Sequence, residues 1–298
     1  MLSNKIYFVG FSKNCFKNLK KNSEFLIGYL EHTKKKCNFI IIDSDSSDGT
    51  KEYCAKLVEN QTLINFFEID GLENNFNSRI ERLAFCRNFA LDILKDNLTD
   101  KIIFIPMDMD LELFNFLNYE KLDVLIDIFI DSNFDGLFPF SLPFYYDIFA
   151  LRSKGWVSEN NLLIANNLKQ KYKLGSFFYN YFYIFKHQIN LNKINTQYIK
   201  VSSAFGGMGM YKMDKNNLQK ALYKVDKEDT DFVSEHISFN KNFKNLAINI
   251  EWNIKAPDGY IFFNTYSYKD RLFYFFKSTK YDFKRLLGKI NKWIKFTK

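Results

Sequence analysis

NFIIIDSDSSDGT, residues 38–50, decides the fold. An apolar run reads as a buried strand, ends in Asp43, passes through small polar residues, and opens a helix at Asp48-Gly49-Thr50. Ser47 or Asp48 is the expected N-cap. The same strand-then-helix signal recurs on either side. IYFVG (6–10), LINFFEI (63–69), KIIFIPM (101–107) and GLFPF (136–140) read as strands. Residues 51–60, Asn77–Lys95 and YEKLDVLIDIFIDS (119–132) read as the helices between them. This alternation predicts an α/β chain: a doubly wound, mostly parallel sheet flanked by helices. Such sheets bind ligands beyond the carboxyl ends of their strands, so the segments after residues 10, 43, 69 and 107 are where chemistry is expected.

Residues 141–200 show no clear period and read as an irregular, aromatic elaboration over the mouth of the sheet. Regular signals return with VSSAFGGMGMYK (201–212) and with helices near 215–223 and 229–240.

The composition fits a globular chain of one large domain or two small ones: 298 residues, 47% hydrophobic and 26% charged, with only 12 Gly and 4 Pro. The many Phe and Tyr residues track an AT-rich coding sequence and carry little functional weight. No run reaches the ~20 apolar residues of a membrane span. The start, MLSNKIYFVGFSKN, has too short an apolar core for a signal peptide, so a cytoplasmic location is expected. Cys15, Cys37, Cys54 and Cys86 lack metal or disulfide spacing and read as free thiols. The net charge of +8 is accounted for by residues 269–298, which hold ten Lys and Arg against two Asp; the body is neutral, which argues against nucleic acid as a partner.

Three motifs can carry chemistry. Asp43, at a strand's carboxyl end, is expected to face the binding crevice; Ser46 to Thr50 read equally well as turn and cap residues. FIPMDMDLE (104–112) places Asp108 and Asp110 at i, i+2 after an apolar strand. In extended geometry both side chains point the same way, and two like charges there call for a cation. Hard divalent ions accept such oxygen ligands and leave positions for phosphate. In NSRIERLAFCRNFALDILKDN (77–97), Ile80, Ala84, Leu91 and Leu94 form one helical stripe, and Arg87 falls about 20° from Ile80, within that apolar face. A buried guanidinium needs a partner, either a substrate diphosphate or a strand-end carboxylate. Arg79 and Arg82 fall on the exposed edge of the helix, from which either could reach a phosphate.

In this order the motifs resemble the nucleotide-sugar-binding half of GT-A glycosyltransferases. FYYDIFALR (144–152), FGGMGMYK (205–212) and EHISFN (235–240) are similar to the fungal capsule-associated mannosyltransferase family and its bacterial and viral relatives, the likeness covering roughly residues 5–255. The resemblance implies a Rossmann-like GT-A domain over residues 1–268, with a donor half to about 112 and an acceptor half after it. It implies a divalent metal, Mn²⁺ or Mg²⁺, held by Asp110 and Asp108, and a GDP- or UDP-sugar contacted by Asp43, Arg79, Arg87 and Asp108. Tyr146, Asp147, Arg152, Gly206 and Gly207 would contact a glycan acceptor. Glu235 and His236 stand where many GT-A enzymes carry a Glu-Asp pair; either would be the base, and His236 is also a candidate third metal ligand. Mannose is the favoured donor sugar, and His32 and His187 read as structural.

Two other enzyme classes share single features. Haloacid-dehalogenase phosphohydrolases use D-x-D, but near the chain start, and nucleotidyltransferases carry a Gly-rich basic loop that GFSKNCFKN only faintly matches. A glycan-binding protein without catalysis is the non-enzymatic alternative. In the tail, Phe283, Leu286, Leu287, Ile290, Trp293 and Ile294 follow helical spacing with Lys and Arg between them. That pattern predicts a basic amphipathic helix suited to an anionic membrane surface.

Overall fold

The computed structural model describes residues 5–96, 101–172, 175–225 and 233–258, with scattered positions between 272 and 284. The tail helix expected at 283–294 lies outside the described residues except at its start. The first half alternates as the sequence predicts: β1 (Lys5–Ser12), α1 (Phe16–His32), β2 (Cys37–Ser44), α2 (Thr50–Asn60), β3 (Ile64–Ile69), the single turn α3 (Leu72–Asn75), α4 (Arg79–Asp96), β4 (Ile102–Asp108), α5 (Tyr119–Asp131) and β5 (Gly136–Leu142). The remainder comprises α6 (Asn161–Tyr172), α7 (Ser176–Tyr183), β6 (Tyr198–Val201), β7 (Met210–Met213), α8 (Lys215–Lys220), α9 (Glu235–Asn240) and β8 (Leu246–Lys255).

Eight strands form one sheet in the order β3-β2-β1-β4-β7-β5-β8-β6. β3, β2, β1 and β4 pair in parallel, β7 runs against both β4 and β5, β5 and β8 are parallel, and β6 closes the edge antiparallel. Six strands therefore run one way, the mostly parallel α/β sheet expected. Both faces are covered, which explains why the strands read as continuous apolar runs. Tyr7, Val9, Ile40, Ile42 and Phe104 pack with Ala84, Ala90, Leu91 and Leu94 of α4 on one face. Ile6, Phe8, Phe39, Ile41 and Ile105 pack with α1 and α5 on the other.

Three differences from the sequence reading concern the second half. Residues 141–200 contain two helices, α6 and α7; SFFYNYFY is aromatic nearly all round, so it shows no stripe, and only its Ser176 is buried. VSSAFGGMGMYK splits into β6 and β7 around a turn at Gly206-Gly207. β8, LAINIEWNIK, is a strand beside β5 that the sequence reading does not pick out. All four cysteines are buried free thiols. Among the described residues no helix is long and apolar enough to cross a membrane.

Candidate active site

Register brings the strand tips together. Phe11 on β1 is level with Asp108 on β4, and the next residue, Ser12, is level with Asp43 on β2, so the two carboxylates flank β1 at one end of the sheet. Beyond them lie two adjoining cavities of about 410 Å³ and about 290 Å³. They share Arg79, Leu83, Asp108 and Asp110 as a common partition. The smaller lies over β1, β2 and α3, with Ser12, Ser44 and Glu73 in its wall. The larger is enclosed by Tyr146–Ala150, the inner side of α7, Phe205 and the start of α9.

Asp108 ends β4, its amide donating to Gly207 O at 2.8 Å. The chain then turns, Leu111 N donating to Asp108 O at 3.3 Å, and this turn, not an extended strand, brings Asp110 to the same partition. Gly207 has φ 96°, and a Cβ there would lie 2.3 Å from Leu111 Cδ1, so only glycine lets the two loops meet. Asp110 is reached by solvent yet set between cavity walls. That enclosure and the Asp108 charge push its carboxyl up to about 6, while Arg79 pulls the other way.

Arg87 lies on the apolar face of α4, 1% exposed. Its Nη2 is 2.7 Å from Asp108 Oδ1, and Nη1 pairs with Glu235 Oε1. Rings of Phe205, Phe11 and Tyr223 surround the guanidinium at 5.2, 5.5 and 5.8 Å, a favourable setting for a desolvated cation. Of the two partners the sequence allows for Arg87, a substrate diphosphate or a strand-end carboxylate, the carboxylates are present.

Glu235 and His236 begin α9, capped by Ser234, whose Oγ accepts from His236 N. Both are buried. The His236 ring stacks on Phe205 at 3.7 Å and 21°. Neither of its nitrogens has a hydrogen-bond partner, the nearer being 3.7 Å from Glu235. Burial, reinforced by the Arg87 charge, holds its pKa well below the ordinary value, so the ring is neutral near pH 7. Asp147 accepts from Gly206 N at 2.8 Å and Ala150 N at 3.1 Å, and burial raises its pKa.

No protein-family model matches the chain, and no curated protein matches it. Solved structures with a similar backbone include S. aureus TarS residues 1–349, at 13% identity and TM-score 0.44, over 82% of this chain and 57% of that one. The mannosyltransferase PcManGT of Pyrobaculum calidifontis, solved with GDP-Man and Mn²⁺, gives 12% and 0.45 over 86% and 58%. Mannosyl-3-phosphoglycerate synthase of Rubrobacter xylanophilus gives 12% and 0.43 over 98% and 76%. This chain thus spans little more than half the length of the first two.

Asp108, Asp110, Arg79, Arg87, Tyr146, Asp147, Gly207, Glu235 and His236 all line the larger cavity. Three of the expected contact residues lie off both cavity walls. Asp43 is fully buried and outside both cavity walls; Ser12 Oγ at 2.8 Å and Ser46 Oγ at 2.6 Å donate to it, so it organises the loop between β2 and α2. Burial raises its pKa against those bonds. Arg152 turns onto its own backbone, donating to Phe149 O at 3.2 Å and Leu151 O at 2.6 Å, away from the cavity. Gly206 has its amide taken by Asp147 and is likewise off the wall.

The ligand set Asp108, Asp110 and His236 is not assembled either: among the described residues no three His, Cys, Asp or Glu side chains are arranged around a metal position. The reason is local, since Arg87 already fills the space between Asp108 and α9, and His236 lies flat on Phe205. The sequence reading also omits Leu83, Phe205, Ser234 and Tyr223. Of these only Ser234, a cap directly before Glu235, leaves a local signal.

Proposed function

We propose that this chain is a metal-dependent glycosyltransferase of the GT-A type that moves a hexose, with mannose favoured, from a GDP- or UDP-sugar to a glycan or lipid-linked glycan acceptor. The observation carrying the reading is the partition: two carboxylates and an arginine shared by two cavities, which suits a reaction that passes a sugar from a departing diphosphate to an acceptor hydroxyl. Residues 1–268 would form the catalytic unit, with the donor in the smaller cavity and the acceptor in the larger. The lysine-rich tail would rest on an anionic membrane at the cytoplasmic face.

Asp108 and Asp110 would hold the divalent ion, Mn²⁺ or Mg²⁺. The raised pKa of Asp110 fits this, because a dication relieves the repulsion between the two carboxylates. With two protein ligands, phosphate oxygens and water complete the shell. When bound, the ion offsets charge on the departing diphosphate. Arg79 adds a second positive charge beside Asp110.

Arg87 pairs with Glu235, an arrangement that supports the wall of the larger cavity. If the reaction inverts, Glu235 or His236 would take the acceptor hydroxyl's proton; the His236 nitrogens have no hydrogen-bond partner, and burial makes the imidazole a weaker base than a free one. If it retains, the leaving phosphate serves and His236 only positions the hydroxyl.

The D-x-D stands on the fourth strand, not the first, which disfavours a haloacid-dehalogenase phosphohydrolase. Thermal melting with UDP- and GDP-sugars, with and without manganese, tests the reading. One nucleotide class should raise the melting temperature only with metal; stabilisation by none, together with phosphate release from small phosphoesters, would overturn it.

A further inference from the structure

Charge is segregated along this chain in a second place besides the tail. Residues 160–213 contain seven Lys and no Asp or Glu, although the body outside 269–298 is neutral. Helix α7 lies in this stretch with two distinct sides. Asn180 and the following Ile184 and Phe185 line the larger cavity, whereas Phe178 and Phe182, one turn apart, face outward and are about half exposed. Tyr172, at the end of α6, is exposed beside them. Lys186 lies 5.5 Å above the Phe182 ring and Lys171 5.2 Å above Tyr172.

The described part of the 272–284 segment packs on this helix. Phe275 meets Phe177 and Phe178 edge to face at 5.3 and 5.9 Å, and Asp282 accepts from Ser176 N at 3.0 Å, fixing the start of α7. Phe276 and Phe283 are 64% and 54% exposed, and Lys280 and Lys284 are exposed beside them. Residues 285–298 continue directly from here with five more Lys and Arg and no carboxylate.

We propose that the outer face of α7, together with the 272–284 residues packed on it, seats on an anionic lipid bilayer and brings the wall of the larger cavity to the headgroups. Exposed rings enter the acyl boundary while lysines beside them reach anionic phosphates. Single-stranded nucleic acid, which also pairs basic side chains with aromatic rings, is the competing occupant that the test separates. The membrane contact stands apart from the proposed reaction. That it delivers an amphiphilic, lipid-linked acceptor to the cavity rests on that reaction.

The test is sedimentation of the full chain with phosphatidylglycerol-containing vesicles and with phosphatidylcholine alone. The wild type should bind only the anionic vesicles. Phe178→Ser with Phe182→Ser should lower partitioning at least about tenfold, the loss of two rings from the acyl boundary, and Phe182→Ser alone, which leaves the Phe178–Phe275 contact in place, should lower it in part with an unchanged melting temperature. Phe182→Trp should add fluorescence that brominated lipid chains quench beyond the parent's own. Neutralising Lys289, Lys292 and Lys295 to Gln should weaken binding without ending it. Equal binding by the Phe178/Phe182 variant, absence of the added quenching, or displacement from vesicles by a single-stranded oligonucleotide would each overturn the proposal. Asp110→Asn should keep vesicle binding while losing nucleotide-sugar binding, which separates the two readings.

Discussion

Arg87 and Asp108, 21 residues apart in sequence, meet at 2.7 Å where α4 passes behind the tip of β4. With Glu235 on the guanidinium's other nitrogen, one buried cation sets the spacing between the strand and α9.

Removing that cation should be costly. Arg87→Met leaves Glu235 buried without its partner, and should destabilise the chain by about 3–5 kcal/mol in urea denaturation. Arg87→Lys should recover only part, because an ammonium cannot fork to two carboxylates. Adding Glu235→Gln to Arg87→Met should restore stability; no restoration would mean the pair is not the source of the loss.

The shared partition predicts a metal phenotype. Asp108→Asn and Asp110→Asn should each lower metal-dependent transfer by on the order of 10² to 10³, and should abolish the manganese-dependent gain in melting temperature with the nucleotide-sugar. Asp43→Asn, by contrast, should weaken stability but leave the metal dependence in place, since Asp43 serves its loop.

His236 sets a pH dependence. Its folded pKa is depressed below 6.5 by burial and Arg87, so the unfolded chain takes up the proton first on acidification. Stability should therefore be intact above pH about 6.5 and fall below it, by up to about 1.4 kcal/mol per pH unit. His236→Phe should flatten the profile, measured as urea midpoints between pH 5 and 8. If the reaction inverts, the same variant should lose about 10² to 10⁴ in kcat.

Gly207→Ala tests the close approach of the two loops. The added methyl meets Leu111, and the backbone sits at positive φ, so a loss of about 1–3 kcal/mol is expected. Turnover should fall as well, because Gly207 O anchors the Asp108 amide. Leu111→Ala in the same background should relieve the clash but not the backbone strain.

What was legible in the sequence was whatever a single element encodes. The run from β1 to β5 announces itself through apolar segments and helical stripes, and Arg87 on an apolar face reads directly as a cation needing a partner. Side-chain direction at the strand tips is a different matter. Asp43 turns inward because Ser12 lies level with it across β1, a relation of register that no local pattern reports. Arg152 curls onto carbonyls of its own turn, which the motif FYYDIFALR cannot distinguish from reaching outward. Helix α7 is hidden by having aromatics on every side, whereas the alternation in LAINIEWNIK did point to β8 and was available to be read.

A partition has two sides, and here the same side chains face both rooms. A ligand that drew Asp110 or Arg79 toward one chamber would change the wall of the other. Each ligand's apparent affinity should then depend on whether the other is already in place.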